Sequence, residues 1–393
     1  MHKKAEKMKK FTLVLIAALL LAGCVEEASF GDSSALREIK DELDPAHIGS
    51  GEGRALWDSY ESYLKNREIT FSAVGDIMVG RRVGRLLDES GGESAYQGFS
   101  FLFDRSDVLF GNLECSLSER GKKLLGKGIW LRASPDKADI LKDAGFSVLS
   151  LANNHILDYG NDALNDTVAF LDEKEIGHVG AGKDIESARK PEIFTKGDVS
   201  IGFLAYNEFS YYFWSYEERR QFAAGENIPG TAPMDLGPIL EDVDKLKKEV
   251  DIVAVSLHWG IEESNLETNE QRELAHALID GGADIIIGQH PHVIQGVEIY
   301  RDRPIIYSLG NYIFDQNDEN NKQGMAAEIK ILQGKINSIS LHPLYVKDKR
   351  APIVPQGGKL TGMLDKIKRL SSAMGADFEE EESFLRYSFD RTQ

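Results

Sequence analysis

The sequence predicts an α/β fold, and three observations carry that prediction. From residue 69 onwards, short apolar runs alternate with segments of helical spacing. Several of those runs end in polar clusters of Asp, Asn, Glu or His, at strand ends where α/β proteins place their chemistry. After residue 297 the apolar runs come in pairs around short turns, which adds antiparallel strands.

Taken in order, the spacing predicts strands over 69–74, 107–110, 147–151, 199–205 and 252–257, and helices over 81–87, 136–144, 162–174, 236–248 and 268–280. Ala283-Asp284-Ile285-Ile286-Ile287 reads as a buried strand leading into Gly288-Gln289-His290-Pro291-His292, where Pro291 stiffens the turn between two histidines. Strand pairs follow at 297–300 with 304–308, and at 325–332 with 336–342. Residues 206–234 break the rhythm with Tyr206, Phe209, Tyr211, Tyr212, Phe213, Trp214 and Tyr216. A segment this long is read as a lid or substrate contact, or as an aromatic cluster packed under a loop. Residues 351–393 read as a polar tail with a helix at 359–370 and a solvated acidic run at 379–382. Upstream, 24–68 reads as a tether with a short helix near 35–43 and a second helix at 53–67. The folded domain is therefore expected over 69–350.

The chain has 393 residues, 42% hydrophobic and 28% charged, which is ordinary globular composition. Its first 23 residues differ. Five lysines precede an apolar run from Phe11 to Leu21, then Leu21-Ala22-Gly23-Cys24. A basic start, a short apolar core and small residues describe a secretory signal, and the run is too short to span a bilayer. The motif resembles a bacterial lipoprotein box, which implies cleavage before Cys24 and a lipid on its sulfur. The body is then expected on the outer face of the cell membrane, lipid-anchored. Cys115 is the other cysteine, read as a buried apolar thiol, with a nucleophilic role as the minority reading. The net charge is −18, and loss of five Lys and one Glu with residues 1–23 leaves about −22. Such a chain is a poor partner for nucleic acid, and an anionic substrate would need a local positive centre.

Five polar clusters stand at strand ends: Asp76; Asn112 with Glu114; Asn153, Asn154, His155 and Asp158; His258; and His290 with His292. One such cluster is a turn, but five are hard to assign to turns alone. Carboxylate, amide oxygen and imidazole together suit a divalent metal such as Mn, Fe or Zn, and two-metal sites suit displacement at phosphorus or activation of water. Taken singly, Asn153-Asn154 could be a cap or turn pair and His258 a core histidine. Asp107 and Asp284 read as residues at strand starts with no chemistry. His47, His178, His276 and His342 read as surface or ordinary core residues.

The motifs Gly75-Asp76-Ile77-Met78-Val79-Gly80-Arg81, Gly111-Asn112-Leu113-Glu114, Ala152-Asn153-Asn154-His155-Ile156-Leu157-Asp158-Tyr159-Gly160, His258-Trp259-Gly260, Gly288–His292 and Ser308-Leu309-Gly310-Asn311-Tyr312 resemble, in order, those of the CapA family of poly-γ-glutamate capsule synthesis proteins. That family is similar to the calcineurin-like metallophosphatases. The resemblance implies their four-layer α/β/β/α sandwich with a site for one or two divalent metal ions. Carried over, Asp76 and His292 would bind the first metal, Glu114 would bridge, and Asn154, His258 and His290 would bind the second. His155 would be the general acid or oxyanion-stabilising group. Asn112, Asp158 and Asn311 would orient ligands, and Arg81 would meet an anionic substrate. One departure stands out: Met78 occupies the place of a ligating histidine, so the first site is weak, differently occupied or empty.

The resemblance implies a membrane-tethered protein of poly-γ-glutamate or other capsule polymer synthesis or export. Its expected partners are the anionic polymer, the membrane and membrane polymer synthase subunits. Two other readings stay open. One is an extracytoplasmic metal-dependent hydrolase of a phosphoester or amide, with His155 protonating the leaving group. The other is a non-catalytic polymer-binding scaffold using the aromatic insertion.

Overall fold

The computed structural model describes residues 68–215, 219–349 and 351–389. The expected signal segment 1–23, Cys24, the tether and the helix at 53–67 lie outside the described residues. The first described elements are β1 (Glu68–Ile77), α1 (Arg81–Ser90), β2 (Val108–Leu113), α2 (Lys137–Asp143), β3 (Val148–Ser150), α3 (Gly160–Glu173) and β4 (Gly177–Val179). Then come β5 (Glu192–Lys196), β6 (Val199–Asn207), α4 (Leu236–Leu246), β7 (Ile252–His258), α5 (Asn269–Asp280), β8 (Ile285–Gln289), β9 (Val297–Tyr300) and β10 (Arg303–Ile306). The last are β11 (Asn311–Ile313), β12 (Gln323–Leu332), β13 (Lys335–Lys347), β14 (Ala351–Ile353), α6 (Gly357–Ser372), β15 (Glu379–Glu380) and β16 (Leu385–Ser388).

Two sheets stack face to face. The larger has the order β15-β16-β13-β12-β1-β2-β3-β4, with β11 on β1 and β14 on β13; the smaller has the order β9-β10-β8-β7-β6-β5. Strands β1 to β4 are mutually parallel, as are β6, β7, β8 and β10. Between the sheets, Phe110 stacks on Phe203 at 5.6 Å and Phe71 meets Phe203 edge-on at 5.3 Å. On the outer face of the larger sheet, Leu87, Leu141 and Leu164 from α1, α2 and α3 close over Leu109 and Leu149. On the outer face of the smaller, Ile239, Val243 and Leu278 from α4 and α5 close over Val253, Val255 and Ile286. The layers are helix, sheet, sheet, helix, as the family resemblance implies.

Strand β7 shows why the parallel blocks read as unbroken apolar runs. Ile252 and Ala254 point into the core between the sheets, while Val253, Val255 and Leu257 point under the helices. With period 2 and both faces covered, Ile252 to Val255 are apolar at every position, and polar residues enter only towards the strand's end, at Ser256 and His258. Helix α5 begins where the sequence says it should. Thr268 accepts from the Gln271 N–H and the Gln271 side chain accepts from the Thr268 N–H, a reciprocal cap. At Gly75 a Cβ would lie 1.7 Å from the Gly310 carbonyl oxygen. Only glycine lets β11 come close enough for the Asp76 N–H to reach that oxygen at 3.1 Å.

The segment 351–388 corrects the expected polar tail. Strand β16 pairs with β13 in the register Leu341↔Leu385 and Ile339↔Tyr387. Helix α6 buries Met363, Leu364, Ile367 and Leu370 against the core between the sheets. The acidic run remains exposed where expected, but Glu379 and Glu380 form the edge strand β15. The charged composition hid a strand with few buried positions, because partners so far apart in sequence leave no local period. Among the described residues no helix is long and apolar enough to cross a membrane.

Candidate metal centre

The C-terminal ends of β1, β2, β3, β7 and β8 bring the polar clusters to one level. Asp76 lies beside Asn112 in register, Asn112 beside Ser150, and His258 beside Gln289. Just beyond β8 the chain turns sharply. His290 and His292 adopt positive φ of 97° and 58°, a costly conformation that the surrounding packing holds. Gly288 permits that approach, because a Cβ there would lie 1.8 Å from the Tyr307 carbonyl oxygen and 2.6 Å from Trp259 Nε1.

Glu114 is the focus. It is fully buried, and both carboxylate oxygens lack a hydrogen-bond partner among the described residues. Around Oε1 stand three imidazole Nε2 atoms, of His292 at 3.6 Å, His258 at 3.9 Å and His155 at 4.0 Å. These distances are too long for hydrogen bonds and leave room for a cation between the carboxylate and the rings. A buried carboxylate without partners requires an explanation, and a metal ion supplies one. Asp76, Glu114 and His258 each offer a ligand atom, all within 4.8 Å of one another, so this buried group could hold a metal.

The neighbouring donors converge in the same way. His258 Nε2 is 3.0 Å from Asn154 Oδ1 and 3.1 Å from His290 Nδ1. These contacts have hydrogen-bond length, and they also gather the donor atoms closely enough to turn on one ion bound at about 2.0–2.1 Å. On the other side, His292 Nδ1 lies 3.2 Å from Asp76 Oδ2 and 2.9 Å from Asn311 Oδ1. Asn311 donates its amide to the Asn321 carbonyl and Gln316 Oε1, so its oxygen faces His292. His292 therefore carries its proton on Nδ1 and turns Nε2 towards Glu114. Asn112 donates to Asp76 Oδ1 at 2.8 Å and accepts from Asn153 at 3.1 Å. Asn153 also accepts from the His155 and Ile156 N–H groups, which fixes the turn that presents His155.

The electrostatics agree with this placement. Burial pushes the Glu114 carboxyl well above its usual value; His292 opposes the shift and Asp76 adds to it. Burial also works against a charge on His292, but Glu114 and Asp76 outweigh it and raise the ring to about 10. Both shifts have one meaning: without a cation, the pocket takes up a proton. Burial and the neighbouring rings push His258 and His290 well below the usual imidazole value, which leaves them neutral.

His155 donates from Nδ1 to Asp158 Oδ2 at 2.7 Å. Asp158 also accepts from the Leu131 N–H at 2.6 Å and is paired with Lys127. Lys127 was not among the predicted site residues. Its ammonium is buried, binds the Asp158 carboxylate and the Asn154 carbonyl, and lies 3.2 Å from His155 Nδ1. Burial, aided by Lys127 and opposed by Asp158, lowers His155 to about 4.

Other expected residues fall elsewhere. Arg81 is engaged by both oxygens of Asp315 and is not available to a substrate in the centre. Met78 is fully buried in the apolar core under α1, and its sulfur accepts from the Gly80 N–H at 3.3 Å. Cys115 is buried and pushed up to about 12, which leaves an inert thiol. The aromatic insertion divides. Phe209 packs on His290 at 4.2 Å and Trp214 covers Lys127 at 4.8 Å, whereas Tyr211, Tyr212 and Phe213 are about half exposed.

Residues 70–316 match the family model of the bacterial capsule synthesis protein PGA_cap. The chain is 32% identical over 327 residues to the PGA biosynthesis protein CapA of Bacillus subtilis (strain 168), covering 82% of this chain and 83% of that one. It is 31% identical over 297 residues to the capsule biosynthesis protein CapA of Bacillus anthracis, covering 73% and 69%. Among solved structures it is similar to TT1561 of Thermus thermophilus, at 10% identity and a TM-score of 0.38, over 66% of this chain and 93% of that one. It is also similar to purple acid phosphatase PPD1 from yellow lupin (Lupinus luteus) seeds, at 7% identity and a TM-score of 0.33, over 72% and 52%.

Proposed function

The chain belongs to the bacterial capsule synthesis protein PGA_cap family, and from that premise we propose that it works in the synthesis or export of poly-γ-glutamate or another anionic capsule polymer. In this reading it is held on the outer face of the cell membrane by a lipid on Cys24, after removal of residues 1–23, beside membrane polymer synthase subunits. The observation that carries the reading is the unpartnered Glu114 carboxylate among three imidazoles. Asn154, His258 and His290 would hold one divalent ion, Asp76 and His292 a second, and Glu114 would serve both. Mn, Fe or Zn suits this mixture of carboxylate, amide and imidazole. The test is genetic. Deleting the gene is expected to remove or shorten the surface polymer, and the wild-type chain is expected to restore it. A deletion strain whose polymer keeps its amount and length would end this reading.

A second reading, hydrolysis of an amide or phosphoester, is favoured by one arrangement. When bound, a divalent ion supplies charge stabilisation and an activated water. The chain's own residues supply the proton handling. His155 holds its proton on Nδ1 against Asp158, so Nε2 presents a lone pair towards Glu114. His155 then takes a proton before it can return one to a leaving group. Substitution His155→Ala is expected to lower turnover by about 10²–10⁴-fold and to leave the metal content unchanged. Equal turnover in the variant, with metal still bound, would remove the case for hydrolysis.

A further inference from the structure

A cleft of about 520 Å³ lies away from the buried centre, between α1 and the end of β13, with the loop after β11 forming one wall. Arg82, Lys322, Lys347 and Lys349 line it, and Asp348 is the one acidic side chain among its lining residues. On a chain of net charge −18 this is a concentrated reversal of sign. Arg82 and Lys347 are exposed, and their side chains make no hydrogen bond or ion pair among the described residues. Lys322 has only a 3.8 Å contact with Glu319. Elsewhere, cations such as Arg120, Arg189 and Arg303 are held by carboxylates. Uncompensated charges facing one concavity repel each other, and they are stabilised when an anion enters.

The cleft is joined to the centre by covalent and hydrogen-bonded continuity. Lys349 binds the Asp315 carbonyl and Asn317 Oδ1, so it braces the loop that forms the wall. That loop leaves β11 after Ile313 and reaches back to the strand's first residue, Asn311, whose oxygen holds His292 and whose amide donates to Gln316 of the loop. Arg81, beside Arg82, binds Asp315 in the same loop. One short loop thus has the basic cleft on one side and the His292 support on the other.

We infer that this cleft is a secondary binding site for a stretch of a polyanion, one bearing repeated carboxylates, and that it tethers the polymer beside the metal centre. The inference rests on the proposed function for the identity of the polymer, while the cleft itself rests on its own residues. A cleft of this size accepts a short chain segment, and cations at several points around it suit repeated charges better than a single one. The acidic remainder of the surface would keep the polymer from binding elsewhere.

The test measures binding of labelled poly-γ-glutamate and of inorganic polyphosphate to the metal-loaded wild-type chain and to the double variant Arg82→Glu, Lys347→Glu. Both positions are exposed and neither is a metal ligand, so the variant's metal content should equal that of wild type. The expected result is salt-sensitive binding of poly-γ-glutamate, weakened about tenfold or more in the variant. Equal affinity of both proteins for poly-γ-glutamate would overturn the cleft and leave the proposed function standing. Binding of polyphosphate alone would overturn the inference of a carboxylate polymer in the cleft, whether or not the variant weakens it. Failure of the wild type to bind either polyanion would overturn the cleft.

Discussion

Glu114→Gln is expected to abolish retention of divalent metal and, with it, polymer production, while leaving the metal-free protein at least as stable as metal-free wild type. The two halves of this prediction have different origins. The carboxylate is fully buried, without a hydrogen-bond partner, and held well above its usual value chiefly by burial. Gln reproduces the shape of the protonated acid that the metal-free pocket favours, so in that state it removes the need to take up a proton there and adds nothing that must be desolvated as an ion. The same change removes the anion that three imidazoles surround. Wild-type protein with metal at about 100 times its dissociation constant gains about 2.7 kcal/mol from binding, a gain that a chelator should erase. The variant should show no response to the chelator. Elemental analysis and thermal unfolding with and without chelator check both halves. A Glu114→Gln variant that purifies with full metal, and is destabilised by chelator as the wild type is, would show that the carboxylate is not the centre's anchor.

The parts of this site that the sequence disclosed are those delivered by strand ends. Asp76, Asn112, His258 and His290 each follow a buried run, and the parallel registers of β1 with β2 and of β7 with β8 bring them to one level. Asn311 was named only through the family motif around it; its place at the start of β11 beside Asp76 depends on a strand pairing with no local signal. Lys127 was not legible. It lies between Gly126 and Gly128 in a basic, loop-like stretch, and its partner Asp158 is 31 residues away. A buried lysine and a solvated one look the same in a sequence when the burial comes from distant aromatics, here Trp214 and Phe222. Arg81 misled for the opposite reason. Its nearness to Asp76 in sequence suggested the centre, whereas Asp315, far along the chain, lies where its guanidinium points. The insertion 206–234 allowed both a packed cluster and a lid or substrate contact; Phe209 packs on His290, whereas Tyr212 is about half exposed, so the packed reading holds for part of the segment.

Lys127 carries the second large effect, and its size should depend on pH in a direction the geometry fixes. Lys127→Met removes the ammonium from a pair in which both side chains are almost fully buried. Breaking such a pair costs about 3–5 kcal/mol, because the remaining charge stays in a poor solvent. Asp158 keeps two other donors, the Leu131 N–H and His155 Nδ1. Of these, His155 can change its charge. In the wild type, burial and then Lys127 hold its pKa at about 4, so it is neutral at physiological pH. Removing Lys127 removes the largest downward influence after burial and leaves the upward pull of Asp158, so the folded-state pKa of His155 must rise. At a pH near the ordinary imidazole value the variant's native state then binds more protons than the wild type's, while the unfolded states titrate His155 alike. Lowering the pH therefore stabilises the variant relative to wild type. The penalty is expected to be largest near pH 8 and to shrink towards pH 6, as a protonated His155 takes over as the cation beside Asp158. Urea unfolding of metal-free wild type and variant at the two pH values measures this directly. A penalty that is the same at both would mean that Lys127 acts on Asp158 alone and that His155 is not coupled to it.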